Sequence, residues 1–252
     1  MSTFDINPSD NGRGSDSWSS SWMHLGIDRR SGGYCRVTFE HPPINTITSR
    51  TVTELAELVG LIEQDPELNV VVFGSANPDF YLAHYDTVHD PSRTAAPPPG
   101  PGAMLVWLDL LIRLSRAPVI SIASIRGRAR GAGSEFVLAC DLRFASRENT
   151  TLGRFEIGTG VVPGGPIARL SRLVGRGRAL EMLLVADDLD GPRAEQYGYV
   201  NRAIADDYLD QEVERIASRV AQCDHDAIAR TKSYVDHVAG SAGSRSAPNG
   251  FP

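Results

Sequence analysis

Two glutamates, Glu135 and Glu156, are the residues of this sequence best suited to acid-base chemistry. Glu135 follows a glycine-rich stretch, and Glu156 comes after it in LGRFEI, residues 152–157. Two carboxylates in one dry pocket tend to ionise at different pH values, so one can donate a proton while the other accepts one. The pair therefore suggests a site that moves protons on a small molecule.

A glycine-rich turn precedes Glu135 in residues 118–141, PVISIASIRGRARGAGSEFVLACD. The apolar run at its start is typical of a buried strand, and a helix is predicted over about residues 132–140. Backbone N–H groups at a helix N-terminus have no intrahelical acceptor and carry the positive end of the helix dipole, so they can hold an oxyanion. Ala132 is the expected donor. A turn that merely lets strand and helix pack closely is an equally simple interpretation.

These residues resemble the second signature of the crotonase superfamily, the enoyl-CoA hydratases and isomerases. In the hydratases, the acidic residue of this helix is one of two catalytic glutamates, and the resemblance places it at Glu135. The LGRFEI segment resembles the Phe-Gly-Gln-Pro-Glu segment of the family, which places the second glutamate at Glu156. Residues 160–175, GVVPGGPIARLSRLVG, are similar to the helix start that follows in the family.

Residues 65–86, DPELNVVVFGSANPDFYLAHYD, resemble the first signature of the family, in which a strand leads to a Phe-Ser-Ala-Gly-x-Asp loop. The match implies that the N–H of Tyr85 is the second oxyanion donor, beside that of Ala132. His84 stands at the family glycine, and Arg154 lies two residues before Glu156, so either could reshape the acyl pocket. The alternative for His84 is a histidine that is simply packed or solvated on a loop. The alternative for Asp86 is a carboxylate that stabilises a turn. The residues expected to contact the substrate are Ala83, His84, Asp86, Gly131 and Arg154.

The resemblance implies a crotonase-type α/β fold, a spiral of ββα turns with a small helical C-terminal region. The implied reaction is hydration or dehydration of an enoyl-CoA thioester through an enolate held by the oxyanion hole. Two glutamates favour this over isomerisation by one shuttling carboxylate. Double-bond isomerisation, C–C bond hydrolysis of a β-diketone, and a catalytically silent scaffold stay open as alternatives. The substrate brings CoA with it, so no separate cofactor is expected. The family also implies a homotrimer or hexamer.

The elements that must position these residues follow from the hydrophobic pattern. A hairpin is predicted around the turn at Ser31, Gly32 and Gly33, and a helix from about Ser49 with Thr51 or Thr53 as its cap. Residues 69–75 and 118–125 read as strands buried on both faces, joined by a helix over 104–116, which predicts a parallel sheet. Residues 91–102, rich in proline and glycine, are typical of a mobile loop that can cover a site. Further helices are predicted near residues 179–186, 193–197, 209–222 and 227–237.

Length and composition predict one principal domain, since the 252 residues are 41% apolar and 22% charged. We expect a disordered N-terminal segment over residues 1–21, the α/β core over 22–190, a helical region over 191–238 and a disordered tail over 239–252. The net charge of −6 argues against a nucleic-acid binder.

The cysteines and histidines show no metal-ligand spacing, so no metal is expected. The chain shows neither a signal-peptide pattern nor an apolar run long enough for a membrane span, and a reducing cytoplasm fits best. Arg126, Arg128 and Arg130 alternate through the glycine turn. Guanidinium groups suit phosphate, although solvated side chains at a strand end are at least as simple an interpretation.

Overall fold

The computed structural model describes residue 18 and residues 21–86, 102–153 and 167–241. Within these residues, eight strands form one mixed sheet in the order β1-β2-β3-β5-β6-β7, with β4 paired to β5 and β8 paired to β6. Eight helices in the described part of the chain connect and cover the strands. The predicted mixed α/β architecture is confirmed.

The chain enters the sheet through a hairpin of β1 (Leu25–Arg30) and β2 (Tyr34–Phe39), which are antiparallel as predicted. Trp18, within the segment predicted to be disordered, is instead only 8% exposed and packs against the main core. Its carbonyl oxygen accepts a hydrogen bond of 3.2 Å from Nε1 of Trp22. Polar residues around Trp18 suggest that ordering this segment costs more conformational entropy than burial can offset. Burial of the large Trp18 indole supplies the missing stabilisation.

Helix α1 (Ser49–Gln64) begins at the predicted residue but has a different cap. Thr48 is the N-cap, and the side chains of Thr48 and Thr51 bond each other's backbone N–H in a capping box. The cap therefore lies just outside the helix, whereas the predicted caps, Thr51 and Thr53, lie inside it. The helix buries Leu55, Leu58 and Ile62 against the sheet, at the spacing that predicted it.

Strand β3 (Val70–Ser75) lies at the centre of the sheet, parallel to both β2 and β5. Its side chains alternate between two cores. Val71 and Phe73 belong to the larger core, beneath helices α1, α2 (Gly102–Arg116) and α3 (Ala132–Ala139). Val70 and Val72 belong to a smaller core, covered by helix α7 (Asp206–Ala221). Burial on both faces explains why this run is continuously apolar.

Strand β5 (Ile120–Arg130) is longer than predicted, and it pairs with β6 (Leu142–Gly153). The glycine-rich residues up to Arg130 were expected to form a turn, but they continue β5 after a register shift between Ile125 and Gly127. There β5 pairs with β4 (Phe80–Leu82) on one side and with the distal half of β6 on the other. Pairing on both sides satisfies the hydrogen bonds of backbone N–H and C=O groups that a turn would leave unpaired. These bonds outweigh the local preference of the glycines for a turn.

The C-terminal part contributes helices α4 (Ile167–Val174), α5 (Arg176–Leu184), α6 (Gly191–Tyr197) and α8 (His225–Ser241), with the short strands β7 (Leu189–Asp190) and β8 (Arg202–Ile204). Helix α8 extends past the boundary at residue 238 that was predicted to begin a disordered tail. Most of the predicted loop over 91–102 lies outside the described residues, and Gly102 already belongs to α2. No helix of the described part is both long and apolar enough to cross a membrane.

Helix α8 is held to the sheet by a buried charge. Lys232, 9% exposed, donates from Nζ to Asp141 Oδ2 at 2.8 Å and to the carbonyl oxygen of Val119 at 2.9 Å. The same Asp141 oxygen accepts bonds from both the N–H and the hydroxyl of Ser121, each at 2.8 Å. Asp141 therefore ties together the start of β5, the end of α3 and helix α8.

Candidate active site

The candidate site is built where β5 ends and α3 begins. Gly131 joins the two elements at φ 53° and ψ −122°, a backbone conformation that glycine adopts without a Cβ clash. Its N–H donates to the carbonyl oxygen of Gly153 at 3.2 Å, and its own carbonyl oxygen accepts from Glu135 N–H at 3.1 Å. Ala132 is the first helical residue, so its N–H points along the helix axis with no intrahelical acceptor.

At Gly133, the first turn of α3 lies in close contact with the chain that follows β4. Its N–H donates to the carbonyl oxygen of Ala83 at 3.2 Å. A Cβ on Gly133 would lie 1.9 Å from the carbonyl oxygen of Leu82, so no other residue fits without a shift of backbone. This contact joins the segment of Ala132 to the segment of Tyr85.

Residues 83–86 are aligned by a short parallel bridge to Ile47. The N–H of Ile47 donates to the carbonyl oxygen of His84 at 3.1 Å, and the N–H of Asp86 donates to the carbonyl oxygen of Ile47 at 2.8 Å. In a parallel bridge of this kind the flanking residues make the bonds, so the N–H of the paired residue, Tyr85, is directed to the opposite side. The two predicted oxyanion donors thus lie on adjoining, hydrogen-bonded segments.

Glu135 lies in the first turn of α3 and is only 7% exposed. Its Oε2 accepts a hydrogen bond of 2.8 Å from Nε1 of Trp107, a residue of α2 that is 4% exposed. A buried carboxylate needs such donors, because an ionised group without them is costly to desolvate. Sequence reasoning missed Trp107, since its helical spacing with Leu110, Leu111 and Leu114 predicts only a core aromatic.

The other residues assigned from the sequence fall into two groups. Ala83 is buried, Tyr85 and Asp86 are half-buried, and the side chain of His84 is exposed. Tyr85 also packs against the main core. Glu156 and Arg154 lie outside the described residues. The structure therefore brings Glu135, Gly131 and Ala132 together with the segment 83–86.

The three arginines of β5 are held by partners of their own. Arg126 donates to Asp206 Oδ1 at 3.0 Å and to Asp210 Oδ2 at 2.8 Å. The Arg128 guanidinium lies over the ring of Phe80, 5.3 Å from its centroid, and Arg130 pairs with Asp188. These contacts favour structural roles at the strand end over phosphate recognition.

Cys140, at the C-terminal end of α3, is a structural residue. Burial raises the pKa of its thiol to about 12, with the nearby charge of Asp141 adding to the effect. At neutral pH the sulfur therefore stays protonated and is a poor nucleophile. Among the described residues, no cluster of His, Cys, Asp and Glu is suited to hold a metal ion.

Comparison with known proteins shows which family this chain belongs to. The sequence profile of the enoyl-CoA hydratase/isomerase family matches residues 29–247. The chain is 31% identical to a crotonyl-CoA hydratase of Syntrophomonas wolfei over 178 residues, covering 70% of this chain and 67% of that protein. It is 30% identical to a short-chain-enoyl-CoA hydratase of Clostridium acetobutylicum over 196 residues, covering 77% and 74%.

The crystal structure of a Streptomyces avermitilis protein, provisionally assigned as an enoyl-CoA hydratase, is similar to this chain with a TM-score of 0.79 and 42% identity. The similarity covers 91% of this chain and 81% of that one. Sequence profile, relatives and fold agree on the family. The chain belongs to the enoyl-CoA hydratase/isomerase family, within the crotonase superfamily.

Proposed function

We propose that this chain adds water reversibly across the Cα=Cβ bond of a short-chain enoyl-CoA thioester. The observation that carries the proposal is the buried carboxylate of Glu135, set in the first turn of a helix whose N-terminus is bonded to the segment of Tyr85. The relatives named crotonyl-CoA hydratase and short-chain-enoyl-CoA hydratase support a short acyl group.

The proposed reaction uses both glutamates. One carboxylate takes a proton from water as the water oxygen bonds to Cβ. The electrons of the Cα=Cβ bond then move toward the thioester oxygen, giving an enolate, and the other glutamate, as the acid, donates a proton to Cα. In the reverse direction the same groups exchange roles. We assign this pair to Glu135 and Glu156.

Negative charge on the thioester oxygen is the feature that the oxyanion hole must stabilise. We assign the two donors to the backbone N–H groups of Tyr85 and Ala132. A preorganised donor of this kind contributes about 3 kcal/mol in comparable sites. The bond from Gly133 to Ala83 would hold the two donors at a fixed separation, so that little reorganisation is needed as charge develops.

The substrate supplies CoA, and no separate cofactor takes part in the proposed reaction. We assign contacts with the thioester and acyl group to Ala83, His84, Asp86, Gly131 and Arg154. His84 has more bulk than the glycine that the family carries there, and we propose that it narrows the acyl pocket.

The proposal extends to assembly and location. We infer a homotrimer or hexamer, supported by the exposed apolar side chains of Tyr234, Val235 and Val238 on α8. We infer a cytoplasmic enzyme of fatty acid metabolism, supported by its acyl-CoA substrate class and by the free thiols of Cys35, Cys140 and Cys223.

The proposed reaction is tested by incubating the purified chain with crotonyl-CoA. Hydration removes the conjugated enoyl thioester, which is followed by ultraviolet absorbance, and adds one water to the product, which is verified by mass spectrometry. Isomerisation of a 3-enoyl-CoA without hydration would favour the isomerase alternative. Cleavage of a β-diketone without turnover of crotonyl-CoA would favour the hydrolase alternative. Absence of hydration, isomerisation and diketone cleavage would favour the catalytically silent scaffold.

A further inference from the structure

The contact between Trp107 and Glu135 joins two buried side chains from different helices. The indole Nε1 of Trp107 donates to Oε2 of Glu135 at 2.8 Å, and the two residues are 4% and 7% exposed. An indole N–H is a donor only, so it can neither accept a proton from the carboxylate nor replace it in proton transfer. Its contribution must therefore act through Glu135.

The packing of α2 fixes the direction from which this donor approaches. Helix α2 lies against both α1 and α3, and Trp107 shares its buried face with Leu110, Leu111 and Leu114. A large ring held in a close-packed core keeps one rotamer. The glutamate chain has more rotatable bonds than the indole, so the rigid partner orients the flexible one.

We propose that Trp107 is a positioning residue for Glu135, holding its carboxyl group in the orientation in which it exchanges a proton with the substrate. The inference rests on the proposed function, in which Glu135 is an acid-base group. A donor that orients such a group acts mainly in the transition state, so its loss lowers kcat more than it changes KM.

A purely structural role makes a different prediction. A buried tryptophan needs an acceptor for its N–H, and Glu135 supplies one. If Trp107 had only this structural role, replacing its indole by a ring without N–H would change the stability of the fold but not the turnover of the folded enzyme.

The kinetic test compares Trp107→Phe with Trp22→Phe. Both changes keep an aromatic ring and remove an indole N–H, but the N–H of Trp22 is bonded to a backbone carbonyl oxygen, that of Trp18. For Trp107→Phe we expect kcat for crotonyl-CoA to fall about 10-fold or more, because small misplacements of a catalytic group can cost up to ~100-fold. KM should stay within about 2-fold. Equal kcat values in the two folded variants would overturn the inference.

A spectroscopic test needs no activity. The chain has three tryptophans, so the indole N–H groups give at most three signals in a ¹H–¹⁵N NMR spectrum. The Trp107 signal is assigned as the one lost in Trp107→Phe or, if that variant does not fold, as the one retained in both Trp18→Phe and Trp22→Phe. Glu135→Gln replaces the carboxyl acceptor by an amide and should shift the Trp107 signal while the other two stay in place.

An unmoved Trp107 signal in Glu135→Gln would overturn the inference even if the enzyme hydrates crotonyl-CoA. Conversely, a wild-type chain without hydratase activity would overturn the proposed function and with it the kinetic role of Trp107, whereas the indole signal would still report whether Trp107 is hydrogen-bonded to Glu135. An active wild type with equal kcat values in the two variants, or with an unmoved indole signal, would overturn the positioning role alone, so the two failures are distinguishable.

Discussion

The N–H of Gly133 donates to the carbonyl oxygen of Ala83 at 3.2 Å, and this bond joins the two segments that carry the proposed oxyanion donors. The close approach that it requires is possible because Gly133 has no side chain. A change at this position should therefore disturb the spacing of Tyr85 and Ala132 before it disturbs any other part of the site.

Gly133→Ala should abolish most of the activity and lower the stability of the fold. The added Cβ would lie 1.9 Å from the carbonyl oxygen of Leu82, so α3 or the segment after β4 must move. Gly177→Ala is the matched control, because a Cβ at that position of α5 meets nothing within 4 Å. We expect the control to be neutral or stabilising by about 0.5–1 kcal/mol, measured by urea denaturation. Equal activity in the two variants would show that the close approach at Gly133 is dispensable.

Lys232→Met should destabilise the fold by about 3 kcal/mol, because it leaves Asp141 partly buried without its cation. The midpoint of urea denaturation measures the loss. Asp28→Asn is the control, since its ion pair with Arg30 is largely exposed and should contribute less than about 1 kcal/mol. A loss no larger for Lys232→Met than for the control would mean that α8 is held to the sheet by other contacts.

The fold should be less stable in mildly acidic solution than at neutral pH, in part because of His24. Burial first, and then electrostatic interaction with His41, whose ring centroid lies 3.7 Å from that of His24, lower the pKa of His24 below its ordinary value of 6.5. Arg50 acts in the same direction, whereas Glu54 opposes it. Between the lowered pKa and 6.5 the unfolded chain binds more protons than the folded one, so stability rises with pH through this window.

Urea denaturation of wild type and His24→Asn across this window measures the effect. The variant should lose part of the rise in stability with pH, since it removes the titrating imidazole. The difference in stability between wild type and His24→Asn separates the contribution of His24 from those of the other groups that titrate in this pH window. An unchanged pH dependence in His24→Asn would contradict the assignment.

His84→Gly should broaden the acyl-chain preference toward longer enoyl-CoA substrates, if the imidazole narrows the pocket as proposed. The ratio of kcat/KM for a longer and a short enoyl-CoA measures this preference. Ser31→Gly, a change at an exposed residue of the turn between β1 and β2, serves as a control for glycine substitution at the surface. An unchanged ratio in His84→Gly would remove His84 from the acyl pocket.

The strands and helices that position the site were largely predictable from the sequence, because their apolar periodicity reflects burial. The run over β3 is apolar throughout since both its faces are covered, and α1 shows the spacing of a helix with one buried face. The prediction failed at the end of β5. There, glycines that locally favour a turn are held in a strand by β4 and β6, which are distant in sequence.

The site was predictable to the extent that it depends on local motifs. Glu135 and the helix start at Ala132 follow from one continuous stretch of sequence. Trp107 does not, because its hydrogen bond to Glu135 depends on how α2 packs against α3. Similarly, the cap at Thr48 depends on a reciprocal bond with Thr51, and several threonines near the helix start could have made it.

The two glutamates should act as one unit, which a double-mutant cycle can show. Replacing either residue by Gln keeps its size and removes its capacity for proton transfer. Because both serve one transition state, Glu135→Gln combined with Glu156→Gln should lose far less activity than the product of the two single effects. Multiplicative losses would mean that the residues act in separate steps or through separate effects.

Steady-state hydration of crotonyl-CoA by Glu135→Gln and by Glu156→Gln, each compared with wild type, decides whether both carboxylates take part. Acid-base groups typically contribute ~10²–10⁴-fold to the rate. Turnover by each variant should therefore fall at least about 100-fold, with thermal stability little changed. Near-wild-type hydration by either variant would contradict the two-carboxylate mechanism.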